Sequence, residues 1–304
     1  MTNQLNYHKS VLVNELLQYL DPQPGKTYID ATFGGGGHTV AILEKEPNCR
    51  VIAFDWDAKA LENGQALLDK YGDRLEFLWG NFASVFMLLK KHKIDKVDGI
   101  VADFGTSQTQ IFTKDGFSFA QDSFLDMRMS SAHYKTTAAE ILNKSSEDKL
   151  ANIFFEFGEE RASRKIAQMI VEERKKKKFK MTSQLVDLIF KIKGPKRGNA
   201  AHPATKVFQA LRIYVNHELE NIEIFLQALP KILNNDGRVV CISFHSLEDR
   251  TVKHFFREFS HSSLNQGEFE VLTPRVVTAS DEELKINLSA RSACLRAAKY
   301  KIKG

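Results

Sequence analysis

The chain has 304 residues, 43% of them hydrophobic and 27% charged, with a formal net charge of +5. That is enough apolar material for one large domain or two smaller ones, and the mild basicity permits a nucleic-acid partner without demanding one. The longest apolar stretches are of strand length, short of the about 20 residues a membrane span needs, and the opening MTNQLNYHKS holds no signal-peptide core, so a soluble cytoplasmic protein is expected, with no membrane partner.

The first third alternates short apolar strands with amphipathic helices. Val11 to Leu20 reads as a helix, and TYIDAT as a first strand. Then come four glycines, Gly34 to Gly37, and a helix through VAILEKE. RVIAFD, RLEFLWG and VDGIVADFG read as three more strands, with ALENGQALLDKY and VFMLLKKH as intervening helices. That alternation predicts a parallel sheet with helices on both faces.

From about Gln110 to Gly198 there are helix signals and no strand. Ser145 and Asp148 read as a capping box ahead of KLANIFFEF, and Gly158 as the stop of that helix. Two basic runs follow, RKKKKFK from Arg174 to Lys180 and KIKGPKRGN from Lys191 to Asn199, either solvated helix ends or a phosphate-binding surface. One long helix is expected from Thr205 to about Leu233. Val207, Phe208, Leu211, Val215, Leu219 and Ile222 lie on its apolar arc, and Lys206, Gln209, Arg212 and Asn216 on the opposite one. GRVVCISF is a fifth strand, and FEVLTPRVV and ACLRAAKYKI suit an antiparallel edge. The predicted architecture is therefore an α/β sheet interrupted between its fourth and fifth strands by a helical insert. The insert leaves from the carboxyl ends of the strands, where such sheets bind ligands. Residues 1–109 and 205–304 form the sheet domain, and residues 110–204 the insert.

Three scattered cysteines, Cys49, Cys241 and Cys294, have no metal-ligand spacing, so no metal is expected. The glycine loop DATFGGGGH narrows the choice of ligand. No Gly-Lys-Ser/Thr follows, so it is not a P-loop. Gly34 and Gly36 fit the first two positions of a dinucleotide fingerprint, but Thr39 takes the third, which disfavours a nicotinamide-dependent dehydrogenase. An acid followed by small residues at every second position, Asp30, Thr32, Gly34 and Gly36, fits a loop that binds S-adenosylmethionine. Asp30 is placed to receive its ammonium, directly or through water. Asp55, at the end of the second strand, can accept ribose hydroxyls. Phe82 is either a rest for the adenine or a core phenylalanine. Asp103, at the end of the fourth strand, is either a loop cap or an acceptor for an amine N–H. In the second role it would localise the nitrogen lone pair and later take the proton, which suits methylation of an exocyclic amine.

Several stretches together resemble one family, the bacterial 16S ribosomal RNA (cytosine-N4)-methyltransferases, which modify a cytosine at the ribosomal decoding site. They are YIDATFGGGGH, AFDWD, DFGTSQTQ, GFSFAQDSFLDMRMS, HPATKVFQALRIYVNHEL, SFHSLEDRTVKHFF and ARSACLRAAK, in order along nearly the whole chain. The resemblance implies a class I, Rossmann-like methyltransferase fold using S-adenosyl-L-methionine, with an inserted substrate-recognition domain. It implies cofactor contacts at Gly36, Gly37, His38, Asp55, Phe82, Asp103 and Gln110, with Asp103 catalytic. Two departures stand out: Thr109 replaces a usual proline, and NLSARSACLR replaces a more usual NPRARSAKLR, losing two basic charges at Ser289 and Cys294.

A base buried in RNA has to leave its stack before its amine meets a methyl donor, so aromatic and cationic residues should line the cleft. Candidates are Phe117, Phe119 and Phe124 with Arg128, and the helix start at His202 and Pro203 with Lys206 and Arg212 behind it. His245 is either a substrate-pocket residue or a hydrogen-bonded structural histidine; with Ser243 it does not make a hydrolase, since no G-x-S-x-G elbow is present. The expected function is methyl transfer to the N4 amine of a cytidine in small-subunit rRNA. The alternatives are an RNA-binding ribosome-assembly factor that keeps the cofactor fold, and a methyltransferase for another amine. The sequence leaves open whether the chain is a homodimer.

Overall fold

The computed structural model describes residues 9–106, 114–119, 121–195, 198, 201–259 and 267–303, without the side chains at 58, 59, 61 and 63. The chain divides into two units, Met1–Gly105 with Leu219–Gly304, and Thr106–Glu218.

The first unit is an eight-stranded sheet. Its strands are β1 (Thr27–Asp30), β2 (Arg50–Asp55), β3 (Leu75–Trp79), β4 (Val97–Asp103), β5 (Leu233–Ser243), β6 (Gly267–Val271), β7 (Val277–Thr278) and β8 (Cys294–Ile302). Their order is β3-β2-β1-β4-β5-β8-β6, with β7 also on β8. The first five pair in parallel, and β8 runs antiparallel to β5, β6 and β7. The central strands are apolar on both faces because each face carries helices: Ile29, Ile52, Ile100 and Val239 enter one core, and Tyr28, Val51, Val101 and Val240 the other. Strand β8, between β5 and β6, is tied to the helix after β5 by Arg296, whose guanidinium donates to both carboxylate oxygens of Asp249 at 2.6 and 2.9 Å.

Helices α1 (Val13–Leu20), α2 (Gly37–Lys45), α3 (Ala58–Tyr71) and α4 (Val85–Lys91) belong to this unit. The second unit contains α5 (Ala138–Lys144), α6 (Glu147–Glu156), α7 (Ser163–Lys176), α8 (Thr182–Lys193) and α9 (Thr205–Asn216). The chain then returns to the sheet with α10 (Glu218–Ile232), α11 (Ser246–Phe259) and α12 (Asp281–Ile286). Among the described residues no helix is long and apolar enough to cross a membrane.

Three local expectations change. The cap of α6 is Ser146, not Ser145; its side chain accepts the Lys149 N–H. Gly158 lies beyond that helix end and serves close packing, since a Cβ there would sit 2.5 Å from the Lys206 carbonyl oxygen. The long helix expected over 205–233 is two helices, broken at His217, whose φ is +50°. The insert therefore extends to Glu218 and keeps α9, rather than ending at residue 204.

Asn216, expected on the polar arc, is fully buried. Its Oδ1 accepts the Met129 N–H at 2.6 Å, and its Nδ2 donates to the carbonyls of Met127 at 2.7 Å and Arg212 at 2.8 Å. It pins the loop before α5 to the last turn of α9. Asn216→Ala leaves a buried N–H and a buried carbonyl unpaired, which should cost about 2–4 kcal/mol in a urea titration. A loss below about 0.5 kcal/mol, the range of ordinary surface substitutions, would mean the loop does not depend on it.

Candidate functional site

The glycine loop turns between β1 and α2. The Gly34 N–H donates to Asp55 Oδ2 at 2.8 Å, and the Gly36 N–H to the Phe33 carbonyl at 2.7 Å. Gly34 and Gly36 have φ of +53° and +78°, which L side chains rarely adopt. The four positions differ in what surrounds them. A Cβ on Gly36 would lie 2.6 Å from Leu67 and 2.8 Å from Phe33, and one on Gly37 only 2.1 Å from Ser10 Oγ. A Cβ on Gly35 meets nothing within 4 Å, and one on Gly34 only the Thr32 carbonyl at 3.9 Å. Packing of the chain on itself therefore accounts for glycine at 36 and 37. The open side of the loop is at Gly34 and Gly35.

Three carboxyl groups stand at the ends of adjacent strands. Asp30, on β1, is fully buried; it accepts the Thr39 hydroxyl at 2.7 Å and the Thr32 N–H at 3.2 Å. Burial raises its pKa against the pull of His38 and these hydrogen bonds. Asp55, on β2, accepts the N–H groups of Gly34 and Asp57, both at 2.8 Å, yet burial pushes its pKa up to about 6. Asp103, on β4, is raised to about 7, first by burial, then by the negative charges of Asp30 and Glu248, against the lowering effect of His38. Its backbone N–H donates to Thr32 Oγ1 at 2.7 Å. Its Oδ1 is buried and has no hydrogen-bond partner among the described residues.

His38 opens α2 and is 4% exposed. Its Nε2 is 2.9 Å from the Val11 carbonyl, which can only accept, so the proton sits on Nε2. Its Nδ1 faces Asp103 Oδ2 at 3.9 Å.

Phe82 satisfies part of each reading. It packs on Phe104 and Phe225, at 5.5 and 5.8 Å between ring centroids, and remains partly exposed. His245 caps α11. Its Nδ1 accepts the Glu248 N–H at 3.4 Å, while Glu248 Oε2 accepts the N–H groups of Phe244 at 2.7 Å and His245 at 3.3 Å. This is a capping box with histidine in the usual serine position, and its Nε2 lies 3.3 Å from Glu248 Oε1. Glu248 is the residue the sequence reading missed; a glutamate three places after a strand-end residue was the available signal.

The expected RNA-facing cations are engaged inside the insert. Arg212 donates to both oxygens of Glu218 at 2.9 Å, so its charge is compensated within the insert. Lys206 is exposed but donates to the Glu159 carbonyl at 2.9 Å. Arg128 is paired with Asp126, and Phe119 stacks on His202 at 4.3 Å. Phe124 stays 61% exposed. Gln110 lies outside the described residues.

Because the folded pKa of Asp103 is raised, the folded chain binds more protons than the unfolded chain between about pH 4 and 7. Its contribution to stability is present below the unfolded value and is lost as pH rises through about 7. Asp103→Asn should therefore melt above the wild type at pH 8, with the gap closing toward pH 5. An equal gap at both values, read by thermal scans without added ligand, would contradict the shift.

Comparison with known proteins places the chain. Residues 6–301 match the model of the MraW methylase family. A protein of Rickettsia canadensis named ribosomal RNA small subunit methyltransferase H is 43% identical over 306 residues, covering 96% of this chain and 97% of its own. A protein of the same name from Endomicrobium trichonymphae is 44% identical over 293 residues, covering 96% and 98%. Among solved structures, an rRNA methylase from Streptococcus thermophilus matches at 10% identity and a TM-score of 0.38, covering 96% of this chain and 94% of that one, a likeness too loose to add to the strand order. With nearly its whole length matched by one family model, and relatives above 40% identity over the same span, the chain belongs to the MraW methylase family.

Proposed function

We propose that this chain methylates the exocyclic N4 amine of a cytidine in 16S ribosomal RNA at the decoding site, with S-adenosyl-L-methionine as donor. The observation that carries the chemistry is the Asp103 carboxyl. One oxygen is buried and unpartnered among the described residues, and the group's pKa is set near 7. The names of the two relatives supply the substrate class.

The residues present fit the donor. Gly34 and Gly35 leave an open backbone face, and Asp55 and Asp103 end the strands on either side of β1. The donor supplies an electrophilic methyl group when bound. Gly34 and Gly35 let the backbone lie against it, Asp55 takes its ribose hydroxyls, and Phe82 offers the partly exposed ring face for its adenine. Asp103 Oδ1 accepts an N–H of the cytosine amine. That hydrogen bond turns the nitrogen lone pair out of conjugation with the ring, and the same oxygen takes the proton once nitrogen has become cationic. A base with a pKa near the working pH performs both tasks well.

Asp103→Asn should lower methyl transfer by about 10²–10⁴-fold, the usual worth of a general base, with donor binding retained in a thermal-shift titration. Wild-type activity should fall as pH drops below about 7, where Asp103 is protonated. Gly35→Ala should leave the melting temperature unchanged but weaken donor binding, because its Cβ enters only the open side of the loop. In cells lacking the protein, nucleoside mass spectrometry of 16S rRNA should show N4-methylcytidine lost; an unchanged level would remove the proposal.

A further inference from the structure

The insert carries an aromatic ladder that the reading above does not use. Tyr134, in the loop before α5, stacks on His217 with 5.8 Å between centroids and 22° between planes. His217 in turn faces Tyr214 at 6.4 Å and 27°. Phe157 continues the series, tilted on Tyr214 at 6.0 Å. Lys149 Nζ stands 5.4 Å from the centre of the Tyr214 ring. Tyr214, Val215 and His217 line one wall of a depression of about 470 Å³, and Thr136, Lys144, Ser146 and Lys149 supply hydroxyls and ammonium groups around it.

Two features argue against incidental packing. His217 is exposed and holds a positive φ, where glycine or asparagine would be the less strained choice. Asn216, beside it, bonds backbone with both polar atoms of its side chain, and two of these hydrogen bonds reach the loop that leads to Tyr134. Ring planes are thus held near parallel from two separate segments. Lys144 is paired with Glu140, but its side chain is 75% exposed, so the pair is weak enough to exchange for a phosphate.

We propose that this ladder is a stacking subsite for an unpaired RNA nucleotide, the base lying on the Tyr214 and His217 rings and its phosphate near Lys149 and Lys144. Near-parallel rings bordered by lysines and hydroxyls match the chemistry of single-stranded RNA: a π-face for any base and cations for the backbone. The subsite rests on the RNA substrate proposed above, and takes a nucleotide other than the one methylated.

The test uses the full chain and a short unstructured RNA carrying 2-aminopurine, read by fluorescence. His217→Asn removes the ring but tolerates the same backbone conformation, and Lys149→Gln is a surface change. His217→Asn should weaken RNA binding about tenfold, the order expected for one stacked base. Lys149→Gln should reduce the slope of log affinity against log salt by about 0.7, one phosphate contact on a single strand. Both variants should bind S-adenosylmethionine and melt like the wild type. If the wild type binds the RNA and both variants bind it equally well at the same salt slope, the subsite is wrong while the methyltransferase reading stands. If the wild type has no affinity for RNA, the RNA substrate falls and the subsite falls with it. Loss of affinity for a protein partner instead, with RNA binding untouched, also overturns it.

Discussion

A carboxyl group with no exposure, Asp30, holds the functional end of the sheet together. Burying a carboxylate is costly unless its oxygens are satisfied, and here they are met by the Thr39 hydroxyl and the Thr32 N–H. The same threonine, through its own hydroxyl, accepts the backbone N–H of Asp103. So one short network fixes the end of β1, the start of α2 and the end of β4. Its electrostatic consequence reaches further. Burial is the main force against charge on Asp103, and Asp30 and Glu248 add to it. The Asp103 pKa near 7 is thus a product of burial and of strand order: parallel neighbours bring their carboxyl ends to one side, where the charge of Asp30 adds to the rise at Asp103.

The sheet was legible because its strands are buried on both faces and read as unbroken apolar runs between helical segments. The limits of the insert were not, and His217 shows why. Apolar periodicity reports that a face is buried, not what buries it. Val207, Phe208, Leu211 and Val215 continue smoothly into Leu219 and Ile222 on one arc, yet the first four pack in the insert core and Ile222 in the sheet core. No glycine or proline marks the break. The left-handed turn at His217 also explains Arg212 and Glu218. Six residues apart, they would not share a face of a continuous helix, and they meet as a bidentate pair only because the helix stops between them.

At the site, residue type was a better guide than residue role. A run of glycines says that side chains are excluded but not by what. At Gly36 and Gly37 the excluding groups are Leu67, Phe33 and Ser10; at Gly34 and Gly35 the space is open. His245 had a similar ambiguity, and its ring is engaged as a helix cap on Glu248. Asp103 was the reverse case. Its position at a strand end was visible in the sequence, but its raised pKa comes from burial first and then from the charges of Asp30 and Glu248, which lie far apart along the chain.

The distribution of charge bears on how RNA can be used. Asp30, Asp55, Asp103 and Glu248 gather acids at the carboxyl end of the sheet, a poor surface for a polyanionic backbone. A nucleobase carries no such charge, and an amine that donates hydrogen bonds is well matched to carboxylate acceptors. For the proposed reaction, such acids would favour a base turned out of its strand over the strand itself. Backbone binding has to be supplied by other segments, and the exposed cations of Lys175, Lys176, Lys177, Lys178 and Lys180 are all on the insert. A lysine close enough to hold phosphate beside residue 103 would pull the pKa of that carboxyl down from its value near neutrality.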